Sequence, residues 1–291
     1  MAIAQTLPEA TTTVTQLNWL QAVVLGAVQG LTEFIPISST AHLKAVPVFL
    51  GWGDPGSAFA AVIQLGSIAA VLWYFWRDIA DLTTEAFKAL RESNYKNQSL
   101  RIVLGIAVGT LPIVLFGFSL KIFVPDFDNS PLRSMTAIAI ASIVMAILLG
   151  IAEQLGQRQK GFDDLNAQTG ILMGLAQALA LIPGVSRSGS TITAGLFLGL
   201  ERSTAARFSF LLGIPAITLA GIVEFISVMQ DGLSRNQGIP LLVGTVSSAV
   251  FSYLAIAWLI EFLKRQSTWV FVWYRLLFGL VILGAIAIGW L

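Results

Sequence analysis

Apolar residues along this chain gather in long blocks, not in the period-two or 3-4 stripes of a soluble fold. Blocks at 57–76, 102–123, 134–153, 203–229, 239–263 and 268–291 each approach the ~20 residues a helix needs to cross a hydrocarbon core. They predict six full membrane spans. Two further apolar regions, 17–50 and 168–200, are broken at Pro36 and at Pro183-Gly184 into pieces too short to cross alone. These predict re-entrant helix-loop-helix hairpins, because irregular backbone at membrane depth is tolerated only where protein or a wet cavity covers it. The fold class is therefore all-α and polytopic, with residues 1–16 as a polar tail and 17–291 as one transmembrane domain.

The pattern repeats. Gly26-Ala27-Val28-Gln29-Gly30-Leu31 corresponds to Gly174-Leu175-Ala176-Gln177-Ala178-Leu179, Ile35-Pro36 to Ile182-Pro183, and Leu65-Gly66 to Leu212-Gly213. One repeat runs over about 17–153 with its hairpin at 17–50, the other over about 168–291 with its hairpin at 168–200. If both hairpins return to the side they entered, one side collects Arg77, Lys88, Arg91, Lys96, Arg101, Arg158, Lys160, Arg202, Arg207, Lys264, Arg265 and Arg275, and the other only Lys44, Lys121, Arg133 and Arg235. The richer side is cytoplasmic by the positive-inside rule. The hairpins then enter from opposite faces, as inverted repeats whose site lies near the midplane.

Composition sharpens this picture and removes alternatives. Hydrophobic residues make up 56% of the chain and charged residues 11%, with a mean hydropathy of +0.79, so a soluble globule is excluded. A net charge of +1 gives no field for nucleic acid, and none is expected as a partner. The absence of Cys rules out disulfides and thiolate chemistry.

Polar residues inside such blocks are costly and therefore functional candidates. Gln29 and Glu33 stand four apart on one helical face, offering an amide oxygen and a carboxylate to Mg²⁺ or Ca²⁺, with water and substrate phosphate completing the shell. Ser38-Ser39-Thr40 reads as the N-cap of a second half-helix, and His42, the only histidine, can share a face with Ser38 or Ser39 for nucleophilic or proton-transfer work. In the second break, Ser186-Arg187-Ser188 between Gly184 and Gly189, with Thr191 one turn after Arg187, form a candidate phosphate cradle at a helix N-terminus. The competing reading of Arg187 is a structural ion pair with Glu33. Gln64 and Ser67 serve either a cavity or helix-to-helix bonding. Glu224 and Asp163-Asp164 receive no role.

At Gln29-Gly30-Leu31-Thr32-Glu33-Phe34 with Pro36, Ser38-Ser39 and His42, and at Pro183-Gly184-Val185-Ser186-Arg187-Ser188 with Gly189 and Thr191, the chain resembles the bacterial undecaprenyl-pyrophosphate phosphatase family associated with bacitracin resistance. The resemblance implies a multi-pass enzyme of the bacterial inner membrane that removes the terminal phosphate of the C55 polyprenyl carrier and so recycles it for wall synthesis. It implies divalent-cation dependence centred on Glu33 with Gln29, phosphate binding by Arg187, Ser186, Ser188 and Thr191 with Ser38 alongside, Ser39 as nucleophile and His42 as proton carrier. Gln29 stands where the family often has Glu, which leaves one charged ligand. Direct attack by water is the alternative to Ser39. Partners are the lipid substrate, membrane lipids and, as a candidate, a second copy of the chain. The competing function is a secondary transporter or lipid-phosphate flippase with a midplane anion site, and behind it an anion channel.

Overall fold

The computed structural model describes residues 17–124, 127, 130–231 and 238–290; the expected tail at 1–16 lies outside them. Eleven α-helices follow in chain order among these residues: α1 (Trp19–Phe34), α2 (Ser39–Phe49), α3 (Gly56–Tyr74), α4 (Trp76–Arg91), α5 (Gln98–Phe123), α6 (Met135–Leu155), α7 (Ala167–Ala178), α8 (Arg187–Phe197), α9 (Arg202–Asp231), α10 (Gly238–Arg265) and α11 (Trp269–Ala287). Six of them, α3, α5, α6, α9, α10 and α11, are long and apolar enough to cross a bilayer, and they coincide with the six predicted blocks. Their outer faces carry exposed Leu104, Val108, Leu115, Phe116, Leu242 and Leu280, a surface that suits lipid and not water. The chain is a multi-pass membrane protein.

Both broken regions form two short helices around an irregular tip. The two hairpins share their local code. Asn18 and Asn166 cap α1 and α7 through the side chain, and Ser38 and Ser186 cap α2 and α8. Each of those helices, α2 and α8, has 11 residues. Ser38 and Ser186 also adopt left-handed φ of 76° and 73°, a conformation that non-glycine residues enter only when their surroundings impose it.

Packing crosses between the halves. α1 lies on α10 and α7 on α5, while α6 pairs with α11 and α3 with α9. Small residues allow the close approach that drives association in lipid: a Cβ on Gly66 would stand 2.1 Å from the Thr245 carbonyl, and one on Gly174 2.0 Å from that of Gly109. The contacts also give direction. Gly26 meets Gly244 and Gly30 meets Ser248 and Ser252, while Ile63 meets Gly244 and Ser67 bonds Ser248 and Ser252. Hence α1 and α3 both run with α10, and the chain doubles back between them. Gly105 meets Gly170 and Gly109 meets Gly174, so α7 runs with α5. Ser67 is thereby explained as a helix-to-helix bond.

One expectation from the charge partition is corrected. Arg275 is not a cytoplasmic loop charge: it lies in the second turn of α11, 1% exposed, and eleven of the twelve residues first assigned to that side remain as candidates. Several of the others do share an end, since Arg207 pairs with Asp78, Lys160 donates to the Leu198 carbonyl, and Arg202 and Arg158 both pair with buried Glu153. At the other end Lys44 donates to the Arg133 carbonyl.

Candidate active site

The two tips meet. Ser188 Oγ at the start of α8 lies 3.4 Å from the Glu33 carbonyl and 3.3 Å from that of Ile35, both at the end of α1. Glu33 Oε1 stands 3.6 Å from Arg187 Nη2. Two polar breaks 154 residues apart therefore form one buried cluster, with the N-termini of α2 and α8 directed at it. Half-helix ends of this kind bring free N–H groups and the positive end of the helix dipole to one place, which favours an anion.

Glu33 is the hub. Its Oε2 accepts from Ser39 Oγ at 2.7 Å and from Gln29 Nε2 at 3.1 Å, while Oε1 faces the guanidinium. The i to i+4 relation of Gln29 and Glu33 works as the helix pattern predicts. Ser39 pairs with the carboxylate and not with His42, so the hydroxyl expected to meet imidazole meets an acid instead.

Arg187 is buried beside this carboxylate but is not saturated by it. At 3.6 Å the ion pair is longer than a hydrogen bond; Nη1 reaches the Ser209 carbonyl at 3.4 Å, and Nε and Nη2 have no hydrogen-bond partner. A buried guanidinium with idle donors is expensive, and an anion with several oxygens would satisfy it. The site is cut to size by Gly213 on α9, where a Cβ would lie 1.7 Å from Arg187 Nη1.

The remaining expected residues divide into two groups. Ser38 and Ser186 spend their hydroxyls on the N–H groups of Ala41 and Gly189, and Ser186 Oγ lies 3.2 Å from Ser188 Oγ. They build the tips. Thr191 donates to the Arg187 carbonyl at 2.8 Å and meets Ser209 Oγ at 2.5 Å, so its hydroxyl is engaged behind Arg187. His42 is buried, with Nδ1 on the Ser38 carbonyl at 2.7 Å and Nε2 on Tyr274 Oη at 2.6 Å.

Sequence reasoning missed Arg275 and Tyr274. The guanidinium of Arg275 reaches the Pro36 carbonyl of the first tip at 3.0 Å, the Gly184 and Val185 carbonyls of the second at 2.8 and 3.1 Å, and the Ser142 carbonyl of α6 at 3.2 Å. One side chain ties both tips together. The signal was available, because a lone cation seven residues into an apolar block seldom lies in lipid without a polar purpose.

A family model described as bacitracin resistance protein BacA matches residues 22–281. An undecaprenyl-diphosphatase of Trichormus variabilis is 64% identical over 276 residues, covering 95% of this chain and 86% of that protein. The protein of the same name from Synechocystis sp. is 62% identical over 273 residues, with 94% and 84% covered, and that of Trichodesmium erythraeum 59% over 274 residues, with 94% and 88% covered. Both tips, their capping serines and the α11 arginine that joins them fall within the matched stretch, and the chain belongs to the BacA family of bacitracin resistance proteins.

Proposed function

We propose that the protein is an integral membrane phosphatase that hydrolyses undecaprenyl pyrophosphate to undecaprenyl phosphate and phosphate in the bacterial inner membrane, recycling the carrier for cell-wall synthesis. The relatives' shared name supports the substrate. The observation that carries the chemistry is a serine hydroxyl held 2.7 Å from a buried carboxylate that faces a guanidinium with idle donors. That is the arrangement of an activated nucleophile next to an oxyanion stabiliser. Ser39 Oγ attacks the terminal phosphorus, its proton passes to Glu33, and the bond to the bridging oxygen breaks to release the lipid monophosphate. Water then cleaves the phosphoserine. Arg187 neutralises charge on the transferring phosphoryl group. Ser188 and the N-termini of α2 and α8 line the same place.

The re-entrant placement of the hairpins is part of this reading. α1 runs with α3 and α7 with α5, and successive spans alternate in direction, which supports tips that approach the midplane from opposite faces. The lipid tail then stays among apolar helices. A groove of about 470 Å³ beside the second tip, lined by Phe116, Leu120, Leu175, Leu179 and Ile182, offers it a seat.

A divalent cation, Mg²⁺ or Ca²⁺, fits the donor set only as an ion shared with substrate. Among the described residues no group of three His, Cys, Asp or Glu side chains forms a ready cage, and Glu33 with the Gln29 amide oxygen gives two hard ligands. Those two residues would hold it, and it would add to charge neutralisation on the diphosphate. Purified protein in detergent should release phosphate from a polyprenyl pyrophosphate, and Ser39→Ala should lower kcat by about 10³-fold while KM stays within a few-fold. Intact substrate accompanied by lipid transfer across vesicles would replace this reading with the carrier one.

A further inference from the structure

We propose that Tyr274 is a positioning residue of this site: its hydroxyl donates to Nε2 of His42 and holds the ring in place, so that His42 works as a prop for the first tip instead of as a proton carrier. The inference deepens the phosphatase reading and rests on it for the meaning of turnover.

The bonding admits one neutral form. Ser38 presents a carbonyl to His42 Nδ1 at 2.7 Å, and a carbonyl has no proton to give, so Nδ1 carries the hydrogen and donates. In a neutral imidazole Nε2 is then the acceptor, and the Tyr274 hydroxyl, 2.6 Å away, donates to it. His42 is 4% exposed and stacked on Phe278 with ring centroids 4.3 Å apart and 16° between planes. It cannot turn freely. Both ring nitrogens are occupied, and neither touches Glu33, Ser39 or Arg187. What His42 does touch is the backbone of Ser38, held at the left-handed φ of 76°, immediately before Ser39. The path of influence is Tyr274 to His42 to the Ser38 carbonyl to the placement of Ser39.

The ring is held from both sides, by the carbonyl that accepts from Nδ1 and by the phenol that donates to Nε2. Here the oriented imidazole supports backbone. The Ser38 carbonyl sets the tautomer, and the phenol completes it by donating to the lone pair left on Nε2; a carboxylate there would draw a second proton onto the ring and charge it.

The chain has a single histidine, so ¹⁵N-histidine labelling gives a one-site spectrum. In the full-length protein in detergent, the expected signals are a protonated Nδ1 and a hydrogen-bonded, unprotonated Nε2, with the Nε2 signal moving in Tyr274→Phe. In phosphate release, Tyr274→Phe should lower kcat about tenfold with KM within about twofold, the scale for a group that acts through another. His42→Asn, whose amide N–H can still reach the Ser38 carbonyl, should keep measurable turnover that Tyr274→Phe no longer changes, whereas His42→Ala should lose it. An imidazolium spectrum, an Nε2 signal unmoved by Tyr274→Phe, or His42→Asn as inactive as His42→Ala would overturn the inference. Absence of turnover in the unmodified protein would sink the phosphatase reading, and the ¹⁵N spectra would still decide the Tyr274 bond.

Discussion

The two hairpins start their second helices from the same backbone cap and place quite different chemistry there, although the second tip alone enters through a 3-10 turn and a left-handed Gly184. Each is capped by a serine of positive φ whose hydroxyl takes the N–H three residues on, each opens an 11-residue helix, and each helix ends near a left-handed glycine, Gly51 or Gly199. With the capping serines Ser38 and Ser186 set on each other, one residue out of step with the proline match, Gln29 falls on Gln177, Glu33 on Leu181, Ser39 on Arg187 and His42 on Ser190. The caps are equivalent frames, and the polar groups differ between them, acid and hydroxyl on the first, cation on the second. On the proposed reading neither tip alone holds the means to transfer a phosphoryl group, and their contact completes the site.

The most damaging change should be one that makes the second tip a copy of the first. Arg187→Ser places the first tip's residue at the second tip's matching position, and phosphate release should fall by about 10³-fold, the scale for losing a preorganised charge stabiliser, while the helical circular dichroism spectrum is retained. Next in size is the link between the tips. Arg275→Met keeps much of the volume but leaves four buried carbonyl acceptors short of a donor, and should cost about 3 kcal/mol of stability; denaturant unfolding in detergent measures it. The smallest effect should fall on the shared frame. Ser38→Gly and Ser186→Gly each remove a cap bond while relieving a strained φ, and each should shift stability by less than about 1 kcal/mol, in matching amounts. Unequal shifts would show that the frames are less alike than their dihedral angles.

Much of this was legible in the sequence because the membrane simplifies the code. Long apolar blocks became the six long helices, and the two proline breaks became tips. Glu33 and Arg187 stood out since ionisable groups are rare at such positions, and Gln29 followed from helical spacing. What stayed hidden depended on contacts between distant segments. Arg275 counts as a loop charge in the sequence because a tally of cations does not reveal which way a side chain turns. Tyr274 gave no signal, as an aromatic near the end of a span usually marks only the interface. Helical spacing pairs His42 with the Ser38 or Ser39 hydroxyl, whereas its ring nitrogens bond the Ser38 backbone and a tyrosine 232 residues away. Gly213 enters the sequence reading only through the internal repeat, and the guanidinium packed against it comes from another segment.

The central claim is that Glu33 and Arg187 serve one anion at one site. A double-mutant cycle on phosphate release from a polyprenyl pyrophosphate tests it most directly, using Glu33→Gln, Arg187→Ala and the two combined. Groups that act as a unit are strongly non-additive, so the account predicts that the double variant is no more than about threefold worse than the poorer single one. Losses that multiply, or turnover retained in both single variants, would contradict it.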